Sequence, residues 1–254
     1  MKSTFYADRQ TEIDRVKGSL STDILTEERL KTLPVCLQRH FRLCGYVDKP
    51  LAMNADILWK ESYLKLKPGS RWNKLKTVQF NSVHPIMRSA YMKLKAIPFA
   101  GKDLYQNGQG SMIGKIFGLF TVMKTMGKEV SQSALVTSFC EMMLLSGYAF
   151  QEYIVWKPLD EKTLEATLTD GGMSVSGVFH FDDKGLFSYF ETDDRFFDNG
   201  QNNYSKEKFK AVMDSYKKAG EMYYPENVRV QWCLEDGDYD YFKGTIEEIR
   251  YNTE

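Results

Sequence analysis

The chain has 254 residues, 43% of them hydrophobic and 27% charged, with 34 basic side chains balancing 34 acidic ones. That length and apolar fraction suffice to bury a sizeable core in one large domain or two small ones. No apolar run approaches the roughly 18 residues that span a bilayer, and the opening MKSTFYADRQTEIDRVKGS is polar where a signal peptide is apolar, so the sequence predicts a cytoplasmic globular protein.

The first 48 residues read as helical. Thr26, ahead of two glutamates in TEERLKTL, is a natural N-cap, and PVCLQRHFRLCG starts on Pro34 and stops at Gly45. Cys36 and Cys44 would sit about 12 Å apart on that helix, too far to bridge, and Cys140 lies in a later helical pattern, so no disulfide framework is expected. From residue 49 the apolar period becomes two. ADILWKESYLKLKPGSRWNKLKTVQF alternates around a Pro-Gly-Ser turn and predicts a hairpin, with a third strand in RSAYMKLKAIPF. In YQNGQGSMIGKIFGLF, Asn107-Gly108 predicts a turn followed by a strand that carries Met112, Gly114, Ile116, Gly118, Phe120 and Val122 on one face. Met112, Ile116, Leu119, Phe120 and Met123 also fit a helical period.

A helix is expected over about 131–146, with Leu135, Phe139, Met142 and Met143 on one face, Val136, Cys140 and Leu144 beside it, and Gly147 as its stop. Its polar stripe is only Thr137, Ser138 and Glu141, which requires cover on most sides. Strands resume in TLEATLTDGGMSVSGVFHFDDKGLFSYFET and VRVQWCLEDGDYDYFKGTIEEIRY, with TDGG, DDKG and EDGD as turns. YSKEKFKAVMDSYKKAGEMYYP fits either a helix or a further strand pair. With no linker rich in Pro, Gly or Ser, the expected organisation is a single domain over 1–254, helical over 1–48 and an antiparallel sheet with one inserted helix over 49–254.

The balanced charge conceals an asymmetry: residues 49–128 hold 14 Lys and Arg against 3 acids, and residues 129–200 hold 4 against 13. Either neighbouring strands neutralise one another, or a basic surface awaits an anionic partner. The basic block repeats a pentad, YLKLK from Tyr63, WNKLK from Trp72 and YMKLK from Tyr91. The first hairpin would set Lys65 or Lys67 opposite Trp72, and Tyr63 opposite Lys74 or Lys76, alternating rings and ammonium groups across strands. With Lys93 and Lys95 this makes a candidate platform for an anionic membrane, with nucleic acid the less favoured partner. The ordinary alternative is a solvated face neutralised by Glu165, Asp182, Glu191 and Asp193.

Searches for familiar chemistry fail. The glycines around 105–120 miss the Walker spacing, with Gln109 and Ile116 at the required Gly and Ser/Thr positions, and Ile113 breaks a dinucleotide fingerprint. His40, His84 and His180 are isolated, no serine elbow occurs, and no metal or cofactor is expected. Glu141, a carboxylate on an apolar helix, is a candidate acid or base, or an ion-pair partner for a cation such as Arg195; Asp103 is a weaker candidate of the same kind.

LKPGSRW, LYQNGQGSMIGKIFGLFTV leading into the Glu141 helix, VWKPLDEKTLEATLTDGGMSVSGVFHFDDKG and the closing SYKKAGEMYYPENVRVQWCLEDGDYDYFKGTIEEIRY together resemble a family of uncharacterised bacterial proteins, a domain of unknown function, over roughly residues 30–252. That family's helix tends to read Arg-Tyr-Leu-Ala-Glu; here Thr137 stands at the Arg position while Glu141 keeps the Glu, and Leu144-Leu145-Ser146 replaces the family's Trp-Phe-Pro. The resemblance implies one continuous domain across both charge blocks and no known activity.

The predicted fold is α+β: a large, twisted, mostly antiparallel sheet, open or half-barrel, with the helix on its concave face and the N-terminal helices at one end, similar in pattern to bacterial lipoprotein-localisation factors. Met112, Gly114, Ile116, Gly118, Phe120, Phe139, Met142 and Met143 could line a cavity for an apolar or amphipathic ligand between sheet and helix, or could equally fill a solid core. The leading functional expectation is therefore a non-enzymatic ligand binder. The alternatives are an enzyme using Glu141, Asp103 or Arg195 in the same cleft, and a module docking its lysine-aromatic face on an anionic surface. No residue pattern fixes an oligomeric state.

Overall fold

The computed structural model describes residues 1–17, 23–200 and 203–254. Helices α1 (Lys2–Val16), α2 (Glu27–Leu30) and α3 (Val35–Cys44) precede strands β1 (Asn54–Leu64), β2 (Asn73–Ser82), β3 (Met87–Leu94), β4 (Phe99–Gln106), β5 (Gln109–Ile116) and β6 (Phe120–Met126). Helix α4 (Lys128–Cys140) and two 3₁₀ turns, Met142–Leu144 and Ser146–Phe150, lead to β7 (Ile154–Pro158), β8 (Thr163–Asp170), β9 (Met173–Phe181), β10 (Phe187–Asp198), β11 (Tyr204–Ala219), β12 (Met222–Leu234) and β13 (Gly237–Tyr251).

All 13 strands belong to one antiparallel sheet in the order β6-β5-β4-β3-β2-β1-β13-β12-β11-β10-β9-β8-β7, curled into a half-barrel. Two meanders, β1 to β6 and β7 to β13, are joined by pairing of β1 with β13, from Ala55 opposite Tyr251 to Leu64 opposite Phe242. The chain must therefore travel from edge strand β6 to the opposite edge β7, and it does so across the concave side. That path is why α4 contacts β4, β5 and β6 on one wing and β9 and β10 on the other.

At one end the wings touch. The β4–β5 turn has Asn107 and Gly108 at positive φ, 52° and 71°, and Gly108 lies so close to Gly171 of the β8–β9 turn that a Cβ on it would come within 2.6 Å of Gly171 Cα. Beside this contact the hydroxyl of buried Tyr105 donates to Asp170 Oδ2 at 2.5 Å. On the convex face α1 packs over β2 and β3 through Phe5, Ile13, Phe80 and Met87, tied by Arg9 to Asp56. The cores of α2 and α3 join the main cluster through Leu30, Leu37 and Phe41.

Two expected elements differ in the structure and others form as expected. The helix expected over 131–146 ends at Cys140, because Gly147 must lie against β1's approach: its N–H donates to Ala52 O at 3.1 Å, and a Cβ there would meet that oxygen at 2.8 Å. The segment after Asn107-Gly108 is neither one long strand nor a helix but two strands, β5 and β6, around a turn in which Phe117 and Gly118 take positive φ. YSKEKFKAVMDSYKKAGEMYYP is the β11–β12 hairpin, turning at Gly220. Thr26 caps α2 by accepting from Arg29 N–H at 3.2 Å, and Gly45, at φ 78°, terminates α3.

Candidate functional site

Strand alternation, broken by register shifts in β1 around Trp59 and in β13 at Tyr241, decides which side chains enter the curl. Arg88 and Met92 on β3, Asp103 on β4, Met112 on β5, Trp59 and Leu64 on β1, Phe209, Ala211 and Met213 on β11, and Tyr241 and Phe242 on β13 all line one cavity of about 150 Å³. From α4 come Thr137, Cys140 and Glu141, one helical turn apart and on one face. The volume is well above the ~10–15 Å³ that a single water needs, and most of the wall is hydrocarbon, aromatic ring or thioether.

Charged groups are confined to two places. The first is a carboxylate-guanidinium cluster under the C-terminus of α4. Glu141 Oε2 accepts from Gln79 Nε2 at 2.7 Å, Asn81 Nδ2 at 2.9 Å and Arg88 Nε at 2.9 Å, while Arg88 Nη1 reaches Asp103 Oδ2 at 2.8 Å. Burial works against the Arg88 charge, but the two carboxylates outweigh it and hold its pKa above the ordinary arginine value. The adjacent Cys140 thiol is pushed up to about 12, chiefly by burial and then by Glu141, which disfavours the thiolate.

The second polar group is Arg195 on β10. Its guanidinium carbon lies 4.1 Å from the Phe209 ring centroid, 5.1 Å from Trp232 and 5.7 Å from Tyr241, an aromatic enclosure that favours a desolvated cation. Nη1 donates to the Tyr241 hydroxyl at 2.8 Å. Among the described residues no carboxylate comes within ion-pair reach of Arg195, and its Nε, like Nε1 of the cavity-lining Trp59, is buried without a hydrogen-bond partner. Arginine offers five N–H donors, so this side chain carries unspent donor capacity beside an apolar space.

The expected site residues are divided by the fold. Met112, Glu141, Asp103 and Arg195 converge on the cavity. Glu141 is paired with Arg88 rather than with Arg195, and Asp103 shares that arginine. Phe139, Met142 and Met143 face the other way and are solid core, with Phe139 5.3 Å from Phe179 and 5.1 Å from Phe190. Gly114 leaves no room for a ligand, since the Phe99 ring occupies its face, 2.7 Å from where a Cβ would stand. Ile116 pairs with Phe120 at the β5–β6 turn, where Phe120 is exposed, and Gly118 is in the turn itself. Arg88, the hub of the polar cluster, was not singled out in the sequence. The signal was present: the alternation that puts Ala90 and Leu94 inside puts Arg88 inside as well.

The lysine-aromatic hairpin forms as a surface. Lys65 lies 4.8 Å over Trp72, Lys74 5.3 Å over Tyr63, and Lys243 bridges both rings at 4.8 and 5.5 Å. Lys74 also pairs with Glu61 at 3.1 Å. Tyr91 instead packs beneath α1 with Phe80 and Met87, although Lys76 pairs with Lys93 on the same strand face and Lys95 N–H bonds Lys74 O. The acids expected to neutralise this face lie on the other wing: Glu165 pairs with Lys157, Glu191 with Lys208, and the Asp182 carboxylate caps its own turn at Lys184 and Leu186, while Asp193 is exposed on β10 beyond the intervening strands. Lys67 is exposed in the β1–β2 turn.

Among the described residues no cluster of His, Cys, Asp and Glu could hold a metal ion, and no helix is long and apolar enough to cross a membrane. The family of unknown function DUF6920 matches residues 31–251, and the chain belongs to that family. No curated protein sequence matches it. In fold the chain is similar to a domain assigned to outer membrane lipoprotein sorting from Vibrio parahaemolyticus, at 12% identity and TM-score 0.47, covering 78% of this chain and 86% of that one. It is also similar to a DUF1329 family protein from Desulfovibrio piger, at 12% identity and TM-score 0.45 over 80% and 87% of the two chains, and to a LolA superfamily protein from Nitrosomonas europaea, at 8% identity and TM-score 0.37 over 80% and 86%.

Proposed function

We propose that this DUF6920 member is a non-enzymatic binder of an amphipathic, lipid-like molecule with an anionic head group, held between α4 and the curled sheet. The observation that carries the reading is the contrast within one cavity: apolar walls from Trp59, Met92, Met112, Ala211 and Phe242, and two guanidiniums, of which Arg88 is held by carboxylates and Arg195 has no carboxylate partner among the described residues. A carboxylate or phosphate there would complete the donor set of Arg195 with charge-assisted, bidentate hydrogen bonds, while a hydrocarbon tail replaces water along the apolar wall. The Glu141-Arg88-Asp103 cluster serves as a structural anchor, because three donors from β2 and β3 converge on Glu141 Oε2 and tie the end of α4 to the sheet.

The reading is tested by titrating a fluorescent fatty acid into the wild type, Arg195→Met and Glu141→Gln. Saturable uptake by the wild type, weakened about tenfold or more by Arg195→Met, is the expected result. No uptake by the wild type, or equal uptake by Arg195→Met, would overturn the assignment of Arg195. An activity abolished by Glu141→Gln at unchanged stability would favour an enzyme instead.

A further inference from the structure

Three hairpin turns, β1–β2, β3–β4 and β5–β6, fall at the same end of the first meander, and the middle one is bonded on both sides: Lys95 N–H donates to the carbonyl of Lys74 near the start of β2 at 3.0 Å, and Phe117 N–H to Pro98 O at 2.8 Å. Their tips carry large apolar side chains in the open. Leu66 is 64% exposed, Ile97 52%, Phe117 69%, Leu119 75% and Phe120 65%. Exposed apolar groups scattered singly need no explanation, but a row of five along adjoining tips is a contact surface in search of an apolar phase.

The charge around the row is of one sign. Between Ser62 and Lys102 the chain has no acidic residue, and between Leu104 and Lys128 again none, so Lys65, Lys67, Arg71, Lys93, Lys95 and Lys115 flank the tips without a carboxylate in the same segments. None of these six forms an ion pair among the described residues. Glu61, the nearest acid on β1, is engaged by Lys74 and by the Tyr63 hydroxyl. Across the sheet the β12–β13 turn exposes Glu235 and Asp236 at the same end, so the attraction to an anionic surface is confined to the first six strands.

The row also lies toward the Leu64 side of the cavity. Leu64, the last residue of β1, with Met92 and Phe242, is half-buried where the cavity approaches these turns, while Cys140 and Glu141 close the opposite end and are buried. Ile116 and Phe120 pair across β5 and β6 next to Phe99, an apolar group at the base of the β5–β6 tip.

We propose that the three tips form a docking rim for an anionic phospholipid bilayer, with Leu66, Ile97, Phe117, Leu119 and Phe120 entering the interfacial layer while the flanking lysines and Arg71 engage lipid phosphates. This geometry would bring the Leu64 side of the cavity toward the membrane surface; that part rests on the reading of the cavity as a lipid-like ligand site. An amphipathic edge with apolar tips and a basic flank binds such interfaces by both terms at once.

Flotation of the full chain with vesicles of equal parts phosphatidylcholine and phosphatidylglycerol, or of phosphatidylcholine alone, tests it. The wild type should float with the anionic vesicles, less so at high salt, and not with phosphatidylcholine alone. Phe117→Ser combined with Leu119→Ser, and separately Leu66→Ser on a different hairpin, should each lower partitioning by about tenfold or more, with unchanged circular dichroism and unchanged uptake of fluorescent fatty acid added from solution. Absence of wild-type binding to anionic vesicles, or variants that bind as well as the wild type, would overturn the proposal. So would variants that only change the oligomeric state, which would make the rim a subunit contact. Vesicle binding without fatty-acid uptake would leave the rim standing and remove the ligand reading of the cavity.

Discussion

Replacing Glu141 by Gln separates a structural carboxylate from a catalytic one. The substitution removes a charge from a cluster in which one oxygen accepts from Gln79, Asn81 and Arg88 at 2.7, 2.9 and 2.9 Å, with Glu141 and Arg88 side chains each only 12% exposed. Breaking a buried pair by removing one partner costs about 3–5 kcal/mol. Here Asp103 still holds Arg88 at 2.8 Å, and the amide oxygen of Gln keeps part of the acceptor role, so we expect about 2–3 kcal/mol. For a chain of this size that corresponds to a fall in Tm of roughly 5–10 °C. Arg88→Met should cost more, since it leaves Glu141 and Asp103 without their cation, and a double-mutant cycle between Glu141→Gln and Arg88→Met should return a coupling of about 2 kcal/mol. Urea unfolding followed by circular dichroism measures all three variants. Single-variant losses below about 1 kcal/mol with additive energies would refute the idea that this cluster anchors α4 to the sheet.

Acid sensitivity should trace to His40. Burial lowers its pKa from 6.5 to about 4, and Nδ1 accepts from Phe187 N–H at 3.2 Å. The unfolded chain binds a proton below pH 6.5 that the folded chain refuses until about pH 4, so the stabilisation is full above 6.5 and is lost as pH falls between those values, about 2 kcal/mol of it by pH 5. Urea unfolding at neutral pH and at pH 5 should show that loss in the wild type and little of it in His40→Gln; equal losses would clear His40. Gly108→Ala, at φ 71° and against Gly171, should destabilise by about 1–3 kcal/mol and raise proteolysis at the β4–β5 turn, whereas the same change at Gly69, also at positive φ but with open space around it, meets no neighbour and should cost less. Ala211→Phe puts a ring into the cavity: if the space is empty the variant keeps its Tm to within a few degrees and loses fatty-acid uptake, while a drop of about 1–3 kcal/mol would show a site already filled.

Local signals carried the hairpins and the ends of the N-terminal helices. Pro68-Gly69, Asn107-Gly108 and Gly45 each demand a particular backbone conformation, and each takes it. What sequence reasoning missed is non-local. The apolar 3.6-residue pattern runs through Met142 to Leu145, yet α4 stops at Cys140 because Gly147 and Tyr148 must reach Ala52 and Ser82, contacts that no window of sequence contains. Glycines on β5 suggested space for a ligand, but Phe99 from β4 fills it. Glu141 was recognisable as a carboxylate in need of a cation. Its partner depended on strand order, which brings Arg88 beneath it and leaves Arg195 among Phe209, Trp232 and Tyr241.

On the proposed function, the space beneath α4 holds an amphipathic molecule. Native mass spectrometry of protein purified from its host, before and after incubation with a long-chain fatty acid, tests it most directly. One lipid-sized adduct per chain is expected, depleted in Arg195→Met and absent in Ala211→Phe. A bare chain mass under both conditions, unchanged by either substitution, would contradict it.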